Sequence, residues 1–367
     1  MHWQLALWGY FLFGFEPVVP LLRSEFGLSR TVAGLHGSAI SLGTILAGLA
    51  YPRLCARFGR RRTGWLGVAG MCGGLVVLCT GRHLGATLVG ALLAGGFGAL
   101  LVAGSAAILS DNHGLLGAAA ITETNAVCAG AGLLGPLVVG AAVAAGLGWR
   151  VALSLLLIPA AIFVVRHLHT PVPDDVAQVP TAGPRRDRLP RPYWFAWLVV
   201  VALEGVEFSM TFWAADLLRT RVGLSAGAAT AAVGAIVGGM FVGRMLGTIL
   251  TQRQQVDVLL LGAVALAGVG FTLFWIAKTP TAAIAALALT GAGMSLHYPL
   301  AVSRAVAASG GRADRASGRI AIGTGCAGIL APPLLGALGD SVGLHRAFLV
   351  VPMLLVAAAV AVCAGRT

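Results

Sequence analysis

The chain has 367 residues, of which 58% are hydrophobic and only 10% are charged, and its formal net charge is +12 at pH 7. Soluble globular domains carry charge on about a quarter of their residues, so this composition excludes a soluble protein. The mean hydropathy of +0.89 predicts a polytopic membrane protein, and the length leaves room for about twelve apolar spans of roughly twenty residues. The excess positive charge is then expected to mark loops on one side of a membrane, and we expect no nucleic acid partner.

The first six apolar runs follow one another closely and predict an N-terminal bundle of six helices at 1–166. They lie at 3–22, 31–51, 64–80, 85–109, 116–145 and 150–166. The first of them has neither a basic n-region nor a cleavage site of small residues, so we expect a retained span rather than a signal peptide.

Six further runs predict a C-terminal bundle at 193–367. They lie at 193–217, 226–249, 257–277, 280–306, 316–339 and 345–363. The segment between the two sets, 167–192, is rich in proline and charge and cannot cross a membrane, so it is predicted to be a linker. We therefore expect an all-α membrane fold with twelve transmembrane helices in two pseudo-symmetric six-helix bundles.

Two internal segments indicate that the halves are related. Residues 21–29 (LLRSEFGLS) and 217–225 (LLRTRVGLS) match closely. These segments are 196 residues apart (217 − 21). The same offset of 196 residues relates four residues near the other end of each half: it pairs Leu134, Pro136, Gly140 and Arg150 with Leu330, Pro332, Gly336 and Arg346. One offset kept over this length predicts a tandem parallel repeat, as in transporters that hold their substrate between two bundles near the midplane.

Basic residues fall mainly on one side of the predicted spans. The side with both termini and the linker carries the larger share, including the arginines of 53–62 and 185–191. The positive-inside rule therefore predicts that the termini and the linker are cytoplasmic and that the protein lies in the cytoplasmic membrane. An even number of spans also requires both termini to share a side.

The sequence contains no recognisable metal, cofactor or nucleotide motif. Its six cysteines are scattered, without Cys/His ligand spacing, and no GxxxxGK[ST] loop occurs. We find no catalytic constellation either, and expect a protein that is not an enzyme. The expected partners are a small-molecule substrate, protons and the lipid bilayer, with the protein acting as a monomer.

Three glutamates lie inside predicted spans, where each carboxylate costs roughly 2.5–3.5 kcal/mol on insertion scales. Glu16 precedes Pro17 in the first span, whereas Glu204 and Glu207 lie three residues apart on one face of the seventh. A carboxyl group in such a place can load and release a proton as its surroundings change. We predict that these residues couple transport to protons, with Glu207 foremost. The alternative is that they lie near the span ends, in water.

The loop after the second span, RLCARFGRRR at 53–62, resembles the signature loop of the major facilitator superfamily. The run GAGLLGPLVVG at 130–140 is similar to the glycine–proline motif of antiporters in that superfamily, and Gly148-Trp149-Arg150 is a further likeness. The resemblance implies gating residues Arg57, Gly59, Arg60 and Arg61 and antiporter-like residues Gly132, Gly135, Pro136 and Gly140. The loop departs from the family pattern in having Ala56 in place of an aspartate and Pro52 in place of a glycine.

The same resemblance implies a central cavity lined by spans 1, 4, 7 and 10. By this analogy the substrate-cavity candidates include His297, Tyr298, Trp213, Phe208 and Tyr10. Glu123 and Asn125, early in the fifth span, are further candidates, and the alternative for them is a structural hydrogen bond between helices. Three stretches, 207–213, 122–126 and 295–300, look like a bacterial branch related to sugar permeases of the fucose type. For Arg244 in the eighth span, pairing between helices and a part in transport both remain open, and His297 can either titrate or simply pack.

These features together predict a proton-coupled secondary transporter that works by alternating access. The glycine–proline motif and the acidic spans favour export of a small organic solute by proton antiport. The alternative is uptake of a sugar-like or other small polar solute by proton symport. Few basic residues lie in the spans expected to line the cavity, so neutral, aromatic or cationic substrates fit better than anionic ones.

Overall fold

The computed structural model describes residues 1–113, 117–167, 188–250 and 254–365, without the side chains of 106, 107, 110–113, 117–122, 248, 249 and 313–315. The described chain is helical throughout, with one single-turn 3-10 helix at Glu16–Val18. The α-helices are α1 His2–Phe15, α2 Val19–Phe26, α3 Arg30–Thr80, α4 Leu84–His113, α5 Gly117–Ala144, α6 Gly148–Ser154, α7 Leu157–His167, α8 Arg191–Val222, α9 Ala226–Leu250, α10 Val256–Ile276, α11 Pro280–Met294, α12 His297–Ala307, α13 Ala313–Val342, α14 Leu344–Ala347 and α15 Val350–Ala364.

Eleven described helical segments are long and apolar enough to cross a membrane. One of them, α3, has 51 residues and is interrupted at Gly59, whose φ of 79° and ψ of 162° are not helical. A positive φ of this size suits glycine because it has no Cβ atom. The helix therefore contains two spans, one on each side of Gly59, which confirms the twelve predicted transmembrane helices. Most of the predicted linker, 168–187, lies outside the described residues, so the domain boundaries stay a prediction.

Prolines interrupt the first and tenth spans at defined points. Pro17 cannot donate a backbone hydrogen bond, and the chain passes from α1 through the 3-10 turn into α2 at this position. Pro299 likewise frees the carbonyl of Ser295, and the break between α11 and α12 falls there. Polar backbone groups freed in a membrane must find other partners, so these two breaks create places for polar contacts inside the protein.

Two equivalent helix pairs, α5 with α9 and α3 with α13, make the most extensive contacts between the bundles in the described part of the chain. Gly140 of α5 lies so close to Gly227 of α9 that an added Cβ would be 2.6 Å from its carbonyl oxygen. At Gly336 of α13 the same atom would lie 2.6 Å from the carbonyl oxygen of Arg30 and 2.9 Å from the amide nitrogen of Thr31. Because Gly140 and Gly336 are paired by the sequence repeat, the two halves are related by pseudo-twofold symmetry.

The glycine–proline motif is a packing element within α5. A Cβ at Gly132 would meet the ring of Phe13, and one at Gly135 would lie 2.8 Å from the backbone of Gly14. Small residues allow such close helix approach in lipid, where dispersion contacts hold helices together. The motif thus has a structural cause in this fold, and its link to antiport stays a prediction.

The bundles meet at one end of the molecule, which we call the closed end. This end carries the C-termini of α2, α8 and α13 and the N-termini of α3 and α9. At the other end, the open end, lie Met1 and the start of α8. In the part of the chain that the structure describes, α4 against α13 and α5 against α12 make few close contacts. The structure is therefore closed on one side and separated on the other.

A proline in α13 contributes to the closed arrangement. Pro333 leaves the carbonyl of Ile329 without its helical partner, and the hydroxyl of Ser38 in the other bundle donates to that oxygen at 2.6 Å. The indole Nε1 of Trp213 donates to the neighbouring Pro332 carbonyl at 2.9 Å. A backbone group freed by proline is thus satisfied by the opposite bundle when this end is closed.

The α5–α9 contact gives a direct test of the packing. Gly140→Ala would place its Cβ 2.6 Å from the Cβ of Ala231, and overpacking of this kind costs about 1–3 kcal/mol. We expect this variant to unfold at a lower temperature than the parent in detergent. Gly130→Ala, in the same helix, meets nothing within 4 Å and should match or exceed the parent, since alanine favours helix by about 1 kcal/mol. Equal melting temperatures for the two variants would contradict the assigned interface.

Candidate functional site

The three intramembrane glutamates lie close together between the two bundles. Glu16, in the 3-10 turn of the first span, interacts electrostatically with Glu207 of α8, and Thr211 of α8 also lies close to its carboxyl group. Glu204, one turn before Glu207, interacts with both of the other carboxyl groups. The structure therefore brings together all three predicted proton-coupling residues, from both halves of the chain.

A cation and a phenol complete this group. Arg244 of α9 interacts electrostatically with Glu204 and Glu207, and Tyr298 of α12 lies close enough to interact with the same two carboxyl groups. A hydrogen bond positions the Arg244 side chain: its Nε donates to the Ser295 carbonyl at 3.4 Å. Pro299 is the residue that frees this carbonyl. We call Glu16, Glu204, Glu207, Arg244 and Tyr298 the central cluster.

Members of the central cluster differ in their access to solvent. Glu16 is 3% exposed and Glu204 is 8% exposed, whereas Glu207 is half-buried. The Oε2 atom of Glu16 is buried and has no hydrogen-bond partner. Charged groups inside a membrane are costly unless they are paired or hydrated, so this geometry is suited to groups that exchange protons or bind a counter-charge.

Thr211 lies on α8 close to Glu16. Its hydroxyl has one proton to donate, and it donates that proton to the backbone carbonyl of Glu207 at 2.9 Å.

One predicted cavity aromatic belongs to the central cluster, and another packs beside it. Tyr298 is 43% exposed and interacts electrostatically with Glu204 and Glu207, so its ring is within reach of a molecule bound to these carboxylates. The ring of Phe208 is half-buried, with its centroid 6.3 Å from that of Phe212, and it packs against Gly328 of α13.

Three other cavity candidates face packed helices in this conformation. His297 is buried, and its ring lies near the Ala263 backbone of α10 rather than near the carboxylates. Trp213 is fully buried against α13. The hydroxyl of Tyr10 donates to the Ala152 carbonyl at 2.8 Å inside the N-terminal bundle.

Glu123 and Asn125 lie apart from the central cluster, at the start of the described side chains of α5. Both are exposed, and the Glu123 carboxylate is 3.6 Å from the His2 ring in an exposed contact. Any role in substrate passage would therefore be at the open end.

The signature-loop residues also lie at the open end. Gly59 is the break within α3, and its carbonyl accepts a hydrogen bond from the Thr63 hydroxyl at 2.8 Å. Arg57 is exposed, with its guanidinium 5.3 Å from the ring centroid of Phe58, and Arg60 and Arg61 are half-buried. Ala56, at the position of the usual aspartate, is exposed. The predicted gating role of the loop is compatible with this position and stays a prediction.

A second charged group, not predicted from the sequence, lies at the closed end. Asp216 of α8 accepts from Nε of Arg30 at 2.9 Å and from Nη2 of Arg23 at 3.3 Å, both from the other half. Asp340 of α13 accepts from the backbone amides of Arg30 and Thr31 at 3.0 and 2.9 Å, and from the Thr31 hydroxyl at 2.8 Å. We call these five residues the closed-end cluster. It ties the C-terminal half to the N-terminus of α3.

One signal for this cluster is present in the sequence. Asp216 is the third acidic residue of the seventh span, after Glu204 and Glu207, and it is 1% exposed. A carboxylate so deeply buried requires a partner. The internal repeat does not predict this cluster, because the position that matches Asp216 in the first half is Pro20.

A family model described as the Major Facilitator Superfamily matches residues 5–313. The chain belongs to the major facilitator superfamily. It is thus a membrane transporter that works by alternating access, and the family and fold predicted from the sequence are confirmed. None of the curated protein sequences matches the chain significantly.

Solved structures of other members of the superfamily share the fold over almost their whole length. A bacterial homologue of the human lysosomal transporter Spinster, inward-facing and occupied, has a TM-score of 0.78 at 17% identity, covering 100% of this chain and 94% of that one. A mutant of the nucleoside transporter NupG has a TM-score of 0.81 at 11% identity, covering 100% and 98%. FucP in the outward conformation has a TM-score of 0.67 at 17% identity, covering 99% and 97%. At these identities the likeness concerns the fold alone.

Proposed function

We propose that this member of the major facilitator superfamily is a proton-coupled secondary transporter that exports a small organic solute by proton antiport. The convergence of Glu16, Glu204 and Glu207 between the bundles carries the proposal. Carboxylates that face a rearranging interface change their hydration when the bundles rock, and such a change alters their proton affinity. The deeply buried Glu16 and the half-buried Glu207 would then sense opposite sides of the site.

The closed and open ends support a cycle of alternating access. The closed-end cluster holds the bundles together on one side of the central cluster, and the separated open end leaves Glu207 accessible from the other. The positive-inside rule puts the open end in the cytoplasm, so we assign this conformation as inward-facing. Rocking would break the contacts of Asp216 and Asp340 with the first half and close the open end.

Proton symport of a sugar-like solute is the second candidate. It is supported by the exposed Tyr298 ring beside the carboxylates, since aromatic faces can stack on sugar rings, and by the likeness of 207–213 and 295–300 to fucose-type permeases. The direction of proton movement on adding solute separates the two: antiport releases protons from the site, whereas symport takes them up.

Proton binding can be tested without knowing the substrate. Proteoliposomes of the full chain on a solid-supported membrane should give a transient displacement current after a pH jump, because protons enter charged sites within the membrane. The variant with Glu16→Gln, Glu204→Gln and Glu207→Gln combined should give almost none. Glu123→Gln, at the exposed open end, serves as the control and should keep the full current. An undiminished current in the triple variant would refute proton coupling at this cluster.

The orientation has its own test in intact cells. In a background without native cysteines, Arg61→Cys at the open end should resist a membrane-impermeant maleimide added outside, since we place it in the cytoplasm. Ser24→Cys, exposed at the closed end, should be labelled readily. The reverse pattern would invert the assigned topology.

A further inference from the structure

The central cluster holds more negative than positive groups. In the part of the chain that the structure describes, the electrostatic partners of its three carboxylates are one another, Arg244 and Tyr298. Cys128 of α5 faces Arg244 from the other bundle, and His297 is turned toward α10. The group of three carboxyl groups therefore contains one guanidinium, which interacts with Glu204 and Glu207, and this leaves a deficit of positive charge when all three are ionised.

Two features indicate that the missing charge arrives with a ligand. The Oε2 atom of Glu16 is buried without a hydrogen-bond partner, in a side chain that is only 3% exposed. The ring of Tyr298 lies beside Glu204 and the half-buried Glu207, and aromatic faces attract cations. A site with an unpartnered carboxylate oxygen and an aromatic wall matches a cation with an apolar body.

We propose that the substrate is an organic monocation, bound between Glu207, Glu204 and the ring of Tyr298, where its charge adds to that of Arg244 or replaces it. This inference rests on the proposed transport function but is independent of proton coupling. The cation and the guanidinium carry like charge and share the same carboxylate partners, so they oppose each other. Protons that neutralise the carboxylates oppose the cation as well, which would make the exchange of one for the other the transport step.

These relations predict opposite effects for two neutralising substitutions. Glu207→Gln removes attraction and should weaken cation binding by roughly tenfold or more, the equivalent of about 1.4 kcal/mol. Arg244→Gln removes repulsion and should strengthen binding several-fold, whereas Arg244→Lys keeps the charge and should resemble the parent. A purely structural role for Arg244 would instead weaken binding in both Arg244 variants.

The test uses probes of matched shape and opposite charge. Tetraphenylphosphonium and ethidium should bind the purified full chain in detergent, measured by calorimetry against empty micelles, and tetraphenylborate, the anion of the same shape as the first, should not. Binding of both cations should weaken as the pH falls. Melting temperatures of the variants confirm that they are folded, and Glu25→Gln, whose carboxylate pairs with Arg150 within the N-terminal half, should bind like the parent.

Several results would overturn the proposal: neither cation binds, tetraphenylborate binds as tightly as tetraphenylphosphonium, or Glu207→Gln binds the cations unchanged. Failure of this inference and failure of proton coupling are distinguishable. Displacement currents after a pH jump without cation binding would leave the coupling intact and reject the substrate class. Cation binding that does not change with pH, in a protein without such currents, would keep the substrate class and reject proton coupling.

Discussion

Glu207→Gln should abolish proton-driven transport while leaving the folded protein intact. Glutamine keeps the size of the side chain and much of its hydrogen bonding but cannot titrate. Because Glu207 is the most exposed carboxylate of the central cluster, its loss should break the exchange of protons with solvent. We expect driven transport in proteoliposomes to fall to the background of protein-free liposomes, since no proton can be exchanged at this position.

The behaviour of binding in the same variant separates the two mechanisms. In antiport, where a proton and the substrate compete for Glu207, substrate binding should lose its dependence on pH. In symport, substrate binding and counterflow exchange should survive, since neither needs net proton movement. Glu204→Gln and Glu16→Gln are the matched comparisons. Full pH-dependent driven transport in Glu207→Gln, at normal expression, would show that another carboxylate couples the cycle.

Asp216→Asn should shift the protein away from the observed conformation, in which the bundles are in contact at the closed end. Asparagine is nearly isosteric but carries no charge, so Arg23 and Arg30 would be left close together around a neutral group. Removing one partner of a buried ion pair costs about 3–5 kcal/mol. That cost falls only on the closed arrangement, because the partners lie on opposite bundles and separate when this end opens.

The shift can be measured by the distance between spin labels on the two bundles at the closed end. Ser24 and Ser341 are exposed there, on α2 and α13, and labels at these sites should show a longer distance in Asp216→Asn than in the parent. Asp340→Asn is the milder comparison, because its side chain is 28% exposed against 2% for Asp216. Adding Arg30→Gln to Asp216→Asn should partly restore the short distance, because it removes one of the two like charges left close together by Asp216→Asn. An unchanged distance distribution in Asp216→Asn would rule out a locking role.

The amino-acid sequence by itself determined the class, the number of spans, the repeat and the three central carboxylates. It did so because a bilayer admits only long apolar helices and penalises every buried charge. It also placed a connection between the second and third spans at 53–62, and Gly59, the residue that interrupts α3, lies within it. Glu16, Glu204 and Glu207 stand out for the same reason, because a carboxylate within an apolar span is visible in the residue order alone.

Only the tertiary structure decided which faces of the helices meet. A transmembrane helix is apolar on nearly all sides, so the sequence does not show how it is rotated about its axis. That rotation turns His297 toward α10, brings Arg244 to the carboxylates, and sets Asp216 against Arg23 and Arg30. Each of these contacts joins helices far apart in the chain and depends on packing between them, which no local pattern records.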